Sequence, residues 1–123
     1  MNYISTDKAP AAIGPYSQAI SVGNMVYTSG QIPLKADGVL VEGDISVQAK
    51  QVLTNLSEVL KEAGSSLDKV VKTTIFLSNM EDFVNVNKVY AEFFGDHKPA
   101  RSTIAVKTLP LEVGIEIEAI AIK

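Results

Sequence analysis

The sequence predicts an α+β fold: a mixed sheet with two helices on one face, in the chain order β-β-β-α-β-α-β-β. Three observations carry this reading. Apolar residues recur at steps of three and four in two windows, 45–63 and 81–96. Short runs rich in β-formers, bounded by Gly, Pro or Asn, fill much of the remainder. Two of those runs, 70–77 and 114–122, are apolar on both faces, although two helices can cover only one. The second face needs another covering, and a further copy of the chain is the economical one.

Each element has a local reason. Residues 2–5 read as a short strand, and 6–15 as an ordered loop punctuated by Pro10, Gly14 and Pro15. Residues 16–22 alternate, with Tyr16, Gln18, Ile20 and Val22 set against Ser17, Ala19 and Ser21. Gly23-Asn24 signals a two-residue hairpin, and 25–32 is the returning strand, stopped by Pro33. A polar loop follows over 35–43.

The first helix presents Ile45, Ala49, Val52, Leu53, Leu56, Val59, Leu60 and Ala63 as one stripe. Asp44 suits its N-cap and Gly64 its left-handed C′ position. The strand 70–77 comes next. The second helix, 81–96, buries Phe83, Val86, Tyr90, Phe93 and Phe94. Two strands, 101–107 and 114–122, close the chain around Leu109-Pro110.

Composition narrows the function. The 123 residues suit one domain over 1–123, and 46% hydrophobic with 20% charged residues is the balance of a folded protein. The net charge is −3 and the lysines are scattered, which does not supply the clustered cations that nucleic acids demand. There is no cysteine, hence no disulfide and no thiolate nucleophile. Residues 1–8 lack an apolar core, so no secretory leader is expected. No run approaches the ~20 apolar residues of a membrane-spanning helix. The expectation is a cytoplasmic protein without nucleic-acid or membrane partners.

Familiar sites are missing from the sequence. There is no Gly-rich phosphate loop, and the single histidine, His97, near a helix C-terminus, suits a structural role there. Four features remain. Arg101 shares a strand face with Thr103 and Ala105; it is either a surface cation or a planar fork for a carboxylate. Glu116 and Glu118 share a face that continues as Ile120 and Ile122, and are either a solvated strand end or carboxylates able to hold a water. If the strands of Arg101 and Glu116 form a hairpin, an odd register sum turns both side chains to one face. Asn87 lies at the edge of the second helix's apolar stripe, on the surface or aimed into a cleft. Gly14-Pro15-Tyr16 and Ser29-Gly30-Gln31 offer two hydroxyls and an approachable backbone N–H.

These segments resemble a known family. Gly14-Pro15-Tyr16-Ser17-Gln18-Ala19, Thr28-Ser29-Gly30-Gln31-Ile32-Pro33, Pro99-Ala100-Arg101-Ser102 and Ile115-Glu116-Ile117-Glu118-Ala119 are similar, in order and spacing, to the RidA/YjgF/L-PSP family. The resemblance covers essentially the whole chain. It implies a chorismate-mutase-like fold and a homotrimer with a central β-barrel and clefts between subunits. It implies hydrolysis of 2-iminopropanoate and 2-iminobutanoate to 2-oxo acids and ammonia, without a cofactor or metal. Arg101 matches the carboxylate-binding arginine and Glu116 the glutamate that positions water. Tyr16, Ser29, Gly30 and Asn87 match cleft-lining positions. Thr103 stands where many members carry cysteine; the family's use of that residue through its main-chain carbonyl is one that threonine preserves. The alternative is a non-enzymatic trimer that binds small acids and regulates a protein partner. A ribonuclease label is also attached to the family, and the acidic charge argues against it.

Overall fold

Six strands and two helices form in the expected chain order. The computed structural model describes residues 1–123. The strands are β1 (Asn2–Ile4), β2 (Ala19–Val22), β3 (Met25–Thr28), β4 (Val70–Leu77), β5 (Ala100–Ala105) and β6 (Ile115–Ile122). The helices are α1 (Ile45–Glu62) and α2 (Phe83–Phe94).

Both ends of α1 follow from side-chain chemistry. The Asp44 carboxylate accepts the Val47 N–H at 3.1 Å, satisfying one orphan amide. At the other end Gly64 takes φ +83°. Its N–H donates to the Lys61 carbonyl and the Ser65 N–H to the Leu60 carbonyl, the pair of bonds that closes a Schellman motif. Helix α2 is shorter than the 81–96 expected. Met80–Asp82 form a tight 3₁₀ turn before it, and Gly95 at φ +60° ends it.

Strand β2 begins at Ala19 rather than at residue 16. Gln18 is buried and its amide binds the loop before it, accepting the Thr6 N–H and donating to the Thr6 and Pro10 carbonyls. A side chain committed to that loop replaces the strand pairing that alternation suggested. Strand β3 likewise ends at Thr28, and Gln31 alone rejoins the sheet through a bridge to Ile117.

The spatial strand order is β1-β2-β3-β6-β4-β5. Only the β4/β5 pair is parallel, with α2 as its crossover; every other neighbouring pair is antiparallel. The hairpin expected between the strands of Arg101 and Glu116 is therefore absent, because β4 lies between them. Thr73 faces Arg101 on one side and Ala119 on the other, while Phe76 faces Glu116. Thr73 and Phe76 are an odd number of residues apart, so their side chains leave the sheet on opposite faces. Arg101 and Glu116 thus belong to opposite faces as well, which corrects the expectation of a shared face.

One face packs on the helices. Val26, Thr73, Ile75, Leu77, Ile115, Ile117 and Ala121 are almost wholly buried there against the α1 stripe, with Val86 of α2. The register sends the other row outward: Tyr3, Ile20, Tyr27 and Ile120 align across four strands, with Val22, Met25 and Ile122 beside them. Tyr3, Val22, Tyr27, Ile104 and Ile122 are exposed, an apolar open face of the kind that marks an interaction surface.

Candidate active site

The expected site residues fall into two groups. The first gathers where β3 gives way to the bridge with β6. Tyr16 and Ser29 line a cleft of about 500 Å³ that also includes Ile20 and Tyr27 of the open face. The Ser29 hydroxyl donates to the Ser17 carbonyl at 2.6 Å, and its N–H to the Gln18 carbonyl at 2.9 Å. Ser29 therefore fixes the segment that presents Tyr16. Gly30 follows, and the Glu116 side chain lies over it. A Cβ on residue 30 would stand 2.7 Å from Glu116 Cδ and 2.9 Å from its Cγ. Gln31 secures this approach by exchanging both backbone bonds with Ile117, at 2.8 and 3.1 Å.

Glu116 is half-buried and has no cationic partner. Burial pushes its carboxyl above the ordinary range, and the neighbouring Glu118 charge adds to that. It is thus a carboxylate on the open face with an unusual hold on its proton.

The second group sits at the β5 edge. Arg101 Nη1 donates to Asn87 Oδ1 at 2.8 Å. The guanidinium carbon lies 4.9 Å from the Tyr90 ring centre and 5.3 Å from that of Phe83. Phe83, Asn87 and Tyr90 are spaced by four and three along α2 and so share one face. A guanidinium has five N–H donors; Asn87 takes one, and the remaining fork suits a carboxylate.

Thr103 is on the same strand face, and its Oγ1 is buried without a partner. Val106 N–H donates to the Leu77 carbonyl of β4. Alternation along β5 then turns the backbone groups of Arg101, Thr103 and Ala105 to the free edge. The Thr103 carbonyl is accordingly available to a ligand.

His97 Nε2 is bonded to the Val70 carbonyl at 2.6 Å, a structural role. Two features escaped the sequence reading. Asn55, fully buried within the α1 stripe, donates to the Ile32 and Leu34 carbonyls at 3.1 and 2.8 Å. It thereby braces the loop that follows Gly30. A polar residue among apolar neighbours at helical spacing was the available signal. The aromatic platform under Arg101 was the other, concealed because Phe83 and Tyr90 also fit an ordinary core stripe.

The chain matches the model of the Endoribonuclease L-PSP family over residues 6–123 and belongs to that family, which includes the YjgF, RidA and RutC proteins. It is 52% identical to a RutC family protein of Pyrococcus abyssi, across 98% of this chain and 95% of the relative. It is 46% identical to the 2-iminobutanoate/2-iminopropanoate deaminase of Escherichia coli, across 98% of this chain and 96% of that one. Among solved structures, Escherichia coli TdcF with bound serine superposes with a TM-score of 0.95 at 41% identity, covering 100% of this chain and 99% of its own. A relative from Schizosaccharomyces pombe is named mitochondrial. Neither helix of the present chain is long and apolar enough to cross a membrane.

Proposed function

We propose that this protein hydrolyses 2-imino acids such as 2-iminopropanoate and 2-iminobutanoate, in clefts between the subunits of a homotrimer. The observation that carries the reading is Arg101: a cation on a free sheet edge, hydrogen-bonded by Asn87 and braced by two rings, with donors left over. The relative named as an imine deaminase supports the same chemistry.

The reaction needs little from the protein. The imine carbon of the protonated substrate is already electrophilic. Arg101 binds the carboxylate, and ionised Glu116 accepts a proton from a water as its oxygen bonds to that carbon. The C=N π pair moves onto nitrogen. Glu116 returns that proton to the amine. As the C–N bond then breaks, the hydroxyl gives its proton back to Glu116, ammonia leaves, the C=O forms, and Glu116 releases the proton to solvent. Orientation of this kind is worth roughly 7–11 kcal/mol in favourable systems.

The geometry of the sheet supports an intersubunit cleft. Arg101 and Glu116 are on opposite faces, two strands apart and offset by three residues along β4, roughly 10 Å in each direction at the usual spacings. One chain does not aim both at one substrate. A copy seated on the apolar open face would bring its own β5 edge toward Glu116, Gly30 and Tyr16. No basic stripe favours RNA as the substrate instead, since the net charge is −3.

The test is ammonia release from imine generated by a dehydratase. Arg101→Ala is expected to lose about a hundredfold or more in kcat/KM, given roughly 1.5–3 kcal/mol for each hydrogen bond to a charged group. Arg101→Lys keeps the charge without the fork and should lose less. Full activity in a folded Arg101→Ala protein would reject the carboxylate clamp.

A further inference from the structure

We propose that Tyr90 is a positioning residue: anchored by the buried Thr73 hydroxyl, its ring fixes the Arg101 guanidinium in the orientation that receives a carboxylate. This rests on the reading above that Arg101 binds the substrate carboxylate.

Thr73 and Arg101 are direct partners across the parallel β4/β5 pair, so their side chains leave the sheet side by side. Their surroundings differ sharply. Thr73 is 0% exposed, whereas Arg101 is exposed on an edge strand. Tyr90 connects the two. Its hydroxyl lies 2.7 Å from Thr73 Oγ1, and its ring passes under the guanidinium. The ring is held again by Phe94, stacked at 4.4 Å between centroids. Tyr90 is itself 7% exposed.

An arginine side chain has many rotamers to lose, and a ligand that must freeze it binds more weakly. A ring held at its hydroxyl and stacked on Phe94 freezes the arginine beforehand. The guanidinium then stacks on a surface that belongs to the core rather than to a mobile side chain. Burial raises the Tyr90 pKa, which keeps the phenol neutral and its bond to Thr73 intact at neutral pH. Asn87 sets the rotation of the fork, and Tyr90 sets its plane.

The experiment is a double-mutant cycle on the whole protein. Tyr90→Leu removes the ring, Tyr90→Phe and Thr73→Val remove only the anchor, and each is made with Arg101 or with Arg101→Ala. Binding of the unreactive product 2-oxobutanoate is measured by calorimetry, alongside KM and kcat for 2-iminobutanoate. With Arg101 present, Tyr90→Leu should weaken 2-oxobutanoate binding about tenfold and raise KM more than it lowers kcat. The two anchor variants should weaken it severalfold. In the Arg101→Ala background none of the three should have a further effect. Equal losses in both backgrounds, or undiminished binding by the folded variants, would overturn the proposal while leaving the carboxylate clamp in place. If Tyr90→Leu does not fold, the two anchor variants decide the matter alone. Arg101→Ala binding 2-oxobutanoate as tightly as the parent would overturn the clamp and the proposal together.

Discussion

The Glu116 carboxyl group lies where the side chain of residue 30 would begin. Gly30 has no Cβ, and one placed there would come within 2.7 Å of Glu116 Cδ. The glycine is therefore the seat of the carboxylate, and the two residues form one structural unit across β6 and the segment after β3.

Gly30→Ala consequently separates activity from stability. Residue 30 does not have the left-handed backbone that only glycine tolerates, and the colliding atoms belong to the end of a flexible side chain. Glu116 should swing aside while the fold persists. The melting temperature should stay within a few degrees of the parent, and imine hydrolysis should fall at least about tenfold, a barrier change near 1.4 kcal/mol. Undiminished turnover would show that the carboxylate is not needed in this seat.

Glu116 also makes a prediction about pH. Its folded pKa is raised, by burial first and by Glu118 second. A raised carboxyl favours folding fully below its ordinary range, and that contribution is lost as pH rises through the shifted value. Glu116→Gln should therefore be more stable than the parent at neutral pH, with the difference closing toward about pH 4. If ionised Glu116 takes the water's proton, the acid limb of the rate profile reports its pKa. Glu118→Gln should move that limb to lower pH, and a limb that stays in place would assign it to another group.

The proposed sharing of the cleft between chains can be tested by mixing. Arg101→Ala and Glu116→Gln proteins should each be nearly inactive. Refolded together in equal amounts they should regain activity, because about a quarter of the clefts then combine an intact Arg101 with an intact Glu116 from different chains. Sedimentation of the parent should give three times the 13.2 kDa chain mass. A folded monomer would reject the shared cleft, and no recovery on mixing would remove one of the two groups from the reaction.

Thr103 tests a backbone role. Its carbonyl faces the free edge, while its hydroxyl is buried and unpaired. Thr103→Ala and Thr103→Cys should keep most of the activity. Thr103→Val, which removes the unpaired oxygen at constant shape, should gain about 1 kcal/mol of stability in chemical denaturation. A destabilised Thr103→Val would mean that the hydroxyl finds a partner in the assembly.

Much of this was legible in the sequence where the signal is local. Asp44, Gly64 and the stripe from Ile45 to Ala63 define α1 because capping and periodicity act over a few residues. The strand ends were less legible. Alternation through Gln18 resembles a strand, yet the amide spends its hydrogen bonds on Thr6 and Pro10, a partnership twelve and eight residues distant. Sheet order is less local still. Residues 101–107 and 114–122 adjoin in the chain and suggest a hairpin, but only β4 and β6 are apolar on both faces. That property suits interior strands, whereas β5, with Arg101 and Ser102, suits an edge. The candidate residues were identifiable one by one; their division into two groups depends on which strand lies between them.

The position of β6 bears on how the protein is made. It is the last of the eight elements to leave the ribosome, and it is the strand that joins β3 to β4. Until it emerges, the nascent chain carries two unfinished half-sheets, each with a bare edge, and α1 lacks the Ile115 and Ile117 side chains against which it packs. Such long-range pairings are slow to form, and bare edges are open to association with other chains. Joining of the two half-sheets thus waits for β6, so a premature stop shortly before Ile115 would remove the keystone of the sheet rather than trim its margin.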